Sequence, residues 1–173
     1  MPEALRSAVV VAVPEAAAVV DPWRERTVPD RPSIGIPAHV TLLFPFAPPD
    51  DVDECALREV VAKHESFAFR LERTARFPGF LYLEPEPSEP FERLTRALVT
   101  RFPQYQPYGG VFETFVPHLT VAAGDDATVR KAEAAVRPAL PIAAEAQEAV
   151  LLVEVVPAWV RWETRARFPL AKG

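Results

Sequence analysis

The stretch IPAHVTLL, residues 36–43, recurs as FVPHLTVA at residues 115–122. Each copy places a histidine, an apolar residue, a threonine and a second apolar residue in succession. In a β-strand, residues i and i+2 lie on one face, so His39 and Thr41 point the same way while their apolar neighbours point to the core. The second copy repeats this arrangement. The sequence therefore predicts two equivalent strands, each with one His/Thr pair.

The elements around the two copies also repeat. Each copy follows a helix and a proline-rich loop, and each precedes a further helix and two strands. Apolar runs and period-two alternation predict strands over residues 8–13, 39–46, 67–74, 80–83, 118–123, 149–156 and 159–168. Apolar stripes predict helices over about residues 14–20, 50–60, 91–102 and 125–140. We infer a single domain over residues 1–173, made of two similar halves at about 8–83 and 84–168.

Two details of this pattern are specific enough to test. The first helix is expected to stop near Pro22, because a proline inside a helix lacks the amide hydrogen and clashes with the preceding turn, which leaves residues 21–38 as a loop. Cys55 falls on the apolar stripe of the second helix and is interpreted as a small hydrophobic residue.

Composition fits one folded, soluble domain and excludes several classes of protein. The chain has 173 residues, of which 49% are hydrophobic, and a net charge of −5. The acidic balance argues against an extended nucleic-acid surface, which needs many exposed cations. A single cysteine precludes an internal disulfide and suggests a reducing compartment. Pro14 and Glu15 interrupt the apolar N-terminal run, and no segment reaches the ~20 apolar residues of a membrane span. We expect a cytoplasmic protein without membrane contact.

The paired motifs indicate phosphate chemistry. If the halves pack about a pseudo-twofold axis, His39, His118, Thr41 and Thr120 meet in one groove. Two imidazoles with pKa values near 6.5 can divide the work of acid and base, and threonine hydroxyls can donate to phosphoryl oxygens. The sequence lacks the HExxH and HxH spacings of metal ligands. We therefore predict no metal and no cofactor, and the roles of the two histidines stay open.

Further substrate contacts are proposed in the last predicted strand and its counterpart. Arg161 or Trp159 could meet a nucleotide by phosphate pairing or base stacking, on the face opposite Trp162. Tyr82, in the corresponding strand of the first half, is a further candidate for contact with the substrate. The alternative is a solvated sheet face.

Other chemically suggestive residues are given structural interpretations. His64 has a serine two positions later but follows a helix end. The segment PSEP, residues 87–90, is interpreted as part of the link between the halves, so no protein partner is predicted. The charged and aromatic residues of the two proline-rich loops are interpreted as exposed, namely Arg24, Arg26, Arg31, Tyr105 and Tyr108.

The two motifs, HVTL at 39–42 and HLTV at 118–121, resemble the paired His-x-Thr/Ser-x motifs of the 2H phosphoesterases, also called the 2′-5′ RNA ligase-like or cyclic phosphodiesterase superfamily. The resemblance extends to the loop RPSIGIPAHVTLLFPF, residues 31–46, and to the order of elements over nearly the whole chain. It implies an α+β, bilobal fold in which two pseudo-twofold-related lobes of antiparallel sheet, with outer helices, enclose a central groove.

The same resemblance implies that His39 and His118 are the acid/base pair and that Thr41 and Thr120 bind phosphate. We predict a metal-independent phosphoesterase that hydrolyses a small 2′,3′-cyclic, or related cyclic, phosphodiester of a nucleotide or an RNA 3′ end. Many RNA-processing members carry an arginine soon after the second motif, where this chain has Ala122 and its small neighbours. Two alternatives stay open: a module that binds a nucleotide in the same groove without turnover, and a scaffold with structural histidines.

Overall fold

The computed structural model describes residues 3–110 and 114–173, which form eight strands and four α-helices. The strands are β1 (Ser7–Ala12), β2 (His39–Leu43), β3 (Phe67–Phe77), β4 (Phe80–Glu86), β5 (Leu119–Ala123), β6 (Ile142–Ala146), β7 (Glu148–Val156) and β8 (Arg161–Pro169). The helices are α1 (Ala17–Thr27), α2 (Glu54–Ala62), α3 (Glu89–Arg101) and α4 (Asp126–Val136). None of the helices in the described ranges combines the length and hydrophobicity that crossing a bilayer requires.

The strands form two four-stranded antiparallel sheets of matching design. Their orders are β2-β1-β7-β8 and β5-β4-β3-β6. In each sheet the strand that carries a His/Thr motif lies at one edge, beside β1 or β4. The α+β class and the two antiparallel lobes are therefore confirmed.

Each sheet takes strands from both halves of the sequence. The first sheet combines β1 and β2 with β7 and β8, and the second combines β3 and β4 with β5 and β6. Only Gln147 separates β6 from β7, although these strands lie in different sheets. The lobes and the predicted halves of the sequence are thus different divisions of the chain. Because neither half contains a complete sheet, we infer that the two halves fold as one domain.

Strand β1 is buried on both faces, as expected for the apolar run at its position. Val9 and Val11 belong to the main hydrophobic core. Ala8 and Val10 point the other way and pack with Leu152, Trp162 and neighbouring apolar residues in a smaller cluster. The second face of β1 thus forms an apolar floor for the space between the sheets.

Helix α1 continues through Pro22 to Thr27, so the prediction that it stops near Pro22 is wrong. A proline in a helix costs about 3 kcal/mol. Contacts made by the following turn offset that cost: Arg24 is 1% exposed and donates hydrogen bonds to the Asp21 carboxylate and the carbonyl of Ile36. The hydroxyl of Thr27 accepts a hydrogen bond from the backbone N–H of Ala123, at 3.1 Å. Local propensity is therefore overridden by tertiary contacts.

Smaller differences have local causes. Helix α2 begins at Glu54, with the Asp53 carboxylate accepting a hydrogen bond from the backbone N–H of Ala56 at 2.9 Å. The buried face of α2 consists of Ala56, Leu57, Val60 and Val61, which leaves Cys55 exposed, so its assignment to the apolar stripe is wrong. The sequence does not predict strand β6, because in the segment IAAEA only Ile142 favours a strand and three of the five residues are alanine. It is held by pairing with β3.

Candidate active site

A cavity of about 620 Å³ lies between the two sheets and brings both motifs together. His39 and Thr41 line it from β2, while Thr120 lines it from β5 and His118 from the residue directly before β5. All four side chains are partly buried. The volume is that of a site for a small organic molecule.

The two histidine rings are held in the same way. Nδ1 of His39 lies 2.7 Å from the carbonyl oxygen of Pro37, and Nδ1 of His118 lies 2.7 Å from that of Val116. A carbonyl oxygen only accepts, so Nδ1 carries the hydrogen and donates it in both rings. Each Nε2 is then the atom that can exchange a proton with a bound molecule.

Burial lowers the pKa of both imidazoles. The pKa of His39 is lowered to about 4, first by burial and then by the positive charges of Arg24 and His118. The pKa of His118 is also lowered by burial, against the opposing effect of its hydrogen bond to Val116. The site therefore favours neutral imidazoles at pH 7.

His118 is enclosed by aromatic rings. Phe77 and Tyr82 contact its ring edge to face, with centroids 5.2 and 5.5 Å away, and Phe77 and Tyr82 stack on each other at 4.3 Å. Tyr82 is 7% exposed and is not among the residues that line the cavity. Tyr82 therefore contacts the ring of His118 on the side away from the cavity. This differs from the prediction that Tyr82 contacts the substrate directly.

Tyr108 connects the two motifs across the cavity. Its ring stacks on His118 with centroids 6.3 Å apart, and its hydroxyl shares a hydrogen bond with the side chain of Thr41. Its backbone N–H donates to the carbonyl of Phe44. Burial raises the pKa of Tyr108 to about 12, so it stays protonated. The interpretation of Tyr108 as an exposed loop residue is wrong.

Three aromatic side chains form a wall at one end of the cavity: Phe44, Trp159 and Trp162. Their centroids lie 5.2 to 6.2 Å apart, and all three line the cavity. The guanidinium of Arg6 lies 4.7 Å from the centroid of Trp159 and pairs with the Glu154 carboxylate at 2.8 Å. We call Phe44, Trp159 and Trp162 the aromatic wall.

Trp159 lies in the turn before β8, and this changes the predicted faces. Ala158 and Trp159 both have φ of 61°, and β8 begins only at Arg161. Trp159 and Trp162 therefore share the aromatic wall, where strict alternation would place them on opposite faces. Arg161 points away from it: its side chain is 65% exposed and pairs with Glu163 at 2.8 Å. The prediction that Arg161 meets the substrate is not supported, since it does not line the cavity among the described residues.

The family model of the 2′-5′ RNA ligase superfamily matches residues 12–156, a range that includes both motifs. The protein belongs to the 2′-5′ RNA ligase superfamily. The resemblance to 2H phosphoesterases inferred from the motifs is thereby confirmed. No curated protein matches the chain.

Several solved structures share the fold of this protein. Escherichia coli LigT in complex with NADP+ is 19% identical, with 98% of this chain and 99% of LigT covered and a TM-score of 0.62. TT0787 of Thermus thermophilus is 22% identical, with 96% of this chain and 98% of that chain covered and a TM-score of 0.65. LigT has also been solved with 3′-AMP, at 18% identity over 97% of this chain and 99% of LigT, with a TM-score of 0.60. These likenesses show the LigT-like fold.

Two further residues near the groove of this superfamily member were missed from sequence. Arg24 is buried behind the loop that leads to His39 and donates to the carbonyls of Asp30 and Ile36, so its assignment to an exposed loop is wrong. One feature of the sequence could have indicated that Arg24 is buried. It lies four residues after the apolar Val20, and residues with this spacing share a helix face. Asp30, which lines the cavity, had no comparable signal.

Among the described residues, the other ionisable groups lie outside this cavity. His64 follows α2 and does not line the cavity, in keeping with its structural interpretation. Within residues 3–110 and 114–173, no cluster of three or more histidine, cysteine, aspartate or glutamate side chains has the geometry of a metal site.

Proposed function

We propose that this superfamily member is a phosphoesterase that hydrolyses a small 2′,3′-cyclic phosphodiester of a nucleotide. The observation that carries the proposal is the duplicated histidine geometry. Both Nδ1 atoms donate to backbone carbonyls, and both rings line one cavity together with Thr41 and Thr120. A pair of imidazoles of this kind is suited to exchange protons with one bound phosphodiester.

In the proposed reaction a water molecule attacks phosphorus while one sugar oxygen leaves. A neutral imidazole takes a proton from the water through Nε2, and a protonated imidazole gives one to the departing oxygen. The P–O bond to that oxygen breaks and a bond to the water oxygen forms, which yields a phosphomonoester and a free hydroxyl. The hydroxyls of Thr41 and Thr120 donate to the non-bridging oxygens, where negative charge develops.

The electrostatics favour a division of roles between the histidines. Burial lowers the pKa of His39, and the positive charges of Arg24 and His118 lower it further. His39 is therefore the better candidate for the neutral base, and His118 for the protonated acid that serves the leaving oxygen. A bound phosphate anion would favour the charged form of His118.

The aromatic wall is the proposed site for a nucleobase. Planar bases stack on aromatic side chains with little dependence on base identity. Trp159 is the accessible tryptophan of the wall, since Trp162 is 2% exposed and Trp159 is only partly buried. The LigT structures with 3′-AMP and NADP+ support a small nucleotide as the ligand class here.

The decisive experiment is an assay of the purified protein with adenosine 2′,3′-cyclic monophosphate in the presence of EDTA. Production of a single adenosine monophosphate isomer supports the proposal. Binding of the nucleotide without turnover would instead support the nucleotide-binding module, and absence of both would overturn the proposal in favour of a structural scaffold.

The pH dependence of kcat/KM is expected to be bell-shaped with an acidic optimum. Catalysis needs one neutral and one protonated imidazole, and kcat/KM reports the free protein. Activity should rise with pH through about 4, as His39 loses its proton, and fall through the pKa of His118, which lies below its usual value. The pH optimum should therefore lie between the pKa of His39 and the lowered pKa of His118. Rates from about pH 3 to about pH 9 would show both limbs, and an optimum above neutrality would contradict the expectation.

Trp159→Ala is expected to raise KM about tenfold with little change in kcat, since loss of a stacked base costs about 1–3 kcal/mol of binding. Steady-state kinetics with adenosine 2′,3′-cyclic monophosphate would measure the effect. Trp159→Phe keeps an aromatic face and should stay near the wild-type KM. An unchanged KM in Trp159→Ala would place the base elsewhere.

A further inference from the structure

Asp30 is a carboxylate at the edge of the catalytic space with no role in the reaction described above. It lines the cavity, its side chain is 21% exposed, and its Oδ2 lies 3.8 Å from Nε2 of His39. Its Oδ1 is buried and has no hydrogen-bond partner among the described residues. Its backbone carbonyl accepts a hydrogen bond from the buried Arg24, which fixes the residue in place.

The position of Asp30 differs from that of a carboxylate that orients a catalytic histidine. An orienting carboxylate binds the nitrogen opposite the reacting one. In His39 that nitrogen, Nδ1, is already bound to the carbonyl of Pro37. Asp30 instead lies near Nε2, and 3.8 Å is too long for a hydrogen bond. The carboxylate therefore borders the space that the phosphate would occupy.

No arginine or lysine lines the cavity among the described residues. The two guanidiniums behind its walls are already paired, Arg24 with Asp21 at 2.9 Å and Arg6 with Glu154 at 2.8 Å. Within the described ranges, the charged or titratable groups close to Asp30 are Arg24, His39 and Tyr108. Burial raises the pKa of Asp30 to about 6, so above that pH it adds a negative charge to a site without a lining cation.

We propose that Asp30 sets the charge specificity of the site by disfavouring doubly charged phosphomonoesters relative to singly charged phosphodiesters. The assignment rests on the proposed function. Hydrolysis of a cyclic diester gives a monoester whose second pKa is near 6, so above neutral pH the product carries one more negative charge than the substrate. Repulsion from Asp30 then weakens binding of the product and favours its release.

The test compares two ligands that share base and sugar but differ in charge. They are 2′-deoxyadenosine 3′-monophosphate and its 3′-methyl phosphodiester, which lack the 2′-hydroxyl needed for cyclisation. Calorimetric dissociation constants would be measured at about pH 8 for the wild type, Asp30→Asn and Glu25→Gln. Glu25 is an exposed carboxylate whose replacement changes net charge equally. Asp30→Ser serves if Asp30→Asn does not fold.

The wild type and Glu25→Gln should bind the diester about tenfold more tightly than the monoester, as expected for one additional charge repulsion at close range. Asp30→Asn should bring the two constants to within about twofold, mainly through tighter binding of the monoester. A preference that survives the substitution overturns the role of Asp30 alone. If the wild type hydrolyses adenosine 2′,3′-cyclic monophosphate but shows no preference between the two ligands, the assignment fails while the proposed function stands. If it neither binds nor hydrolyses the cyclic nucleotide, the proposed function fails, and the assignment fails with it.

Discussion

His39→Ala and His118→Ala are each expected to lower kcat for adenosine 2′,3′-cyclic monophosphate by a factor of about 10² to 10⁴, the usual contribution of a positioned acid or base. Removal of either imidazole interrupts the transfer of protons through Nε2. The double variant should be little worse than either single variant, because groups that act as a unit are not additive. Initial rates of product formation would measure the losses.

His64→Ala is the matched control, since His64 lies outside the cavity. Its kcat should equal that of the wild type, and thermal unfolding should show that all the variants remain folded. Turnover at the wild-type rate in either His39→Ala or His118→Ala would contradict the two-histidine mechanism.

A substrate with a good leaving group separates the two proposed roles. Bis(4-nitrophenyl) phosphate releases 4-nitrophenolate, a stable anion that does not need protonation as it departs. With this substrate His118→Ala should lose much less activity than with the cyclic nucleotide, while His39→Ala should lose as much as before. The reverse pattern would exchange the acid and the base.

Thr41→Val and Thr120→Val are each expected to lower kcat by a factor of about 10² to 10³, as does removal of one donor to the developing charge in other enzymes. Valine keeps the shape and strand preference of threonine but cannot donate. KM should change less than kcat, because the hydroxyls act most strongly on the charge of the transition state.

Thr→Ser at positions 41 and 120 keeps the hydroxyl and should retain most activity. Thr164→Val makes the same change at an exposed position of β8, so it is the control and should not affect kcat. If both valine variants at positions 41 and 120 keep wild-type kcat, the phosphate is bound by other donors.

The positions of the motif residues could be predicted because their signal is local. Alternation along a strand sets His39 and Thr41 on one face, and duplication of the motif indicates that its two copies face a common space. Trp159 shows the limit of this reasoning. Its left-handed backbone conformation in the turn before β8 breaks the alternation, so its side chain joins Trp162.

Residues that reach the site through tertiary contacts could not be predicted in the same way. Asp30 borders the cavity because the buried Arg24 binds its backbone, and Tyr108 does so because its N–H donates to Phe44. Neither contact leaves a pattern in the nearby sequence. The exchange of strands between the lobes was equally hidden, since periodicity identifies a strand but does not name its partner.

The exchange of strands has a mechanical consequence for the protein. The two lobes are connected by segments of the chain that pass from one sheet to the other. The shortest of these segments is Gln147, between β6 and β7. Separation of the two halves of the sequence would have to break strand pairing in both sheets at once, and the single residue between β6 and β7 limits how far the sheets can move apart at that point. We therefore expect a rigid frame in which the spacing between His39 and His118 is set during folding, and in which ligand entry depends on the surrounding loops.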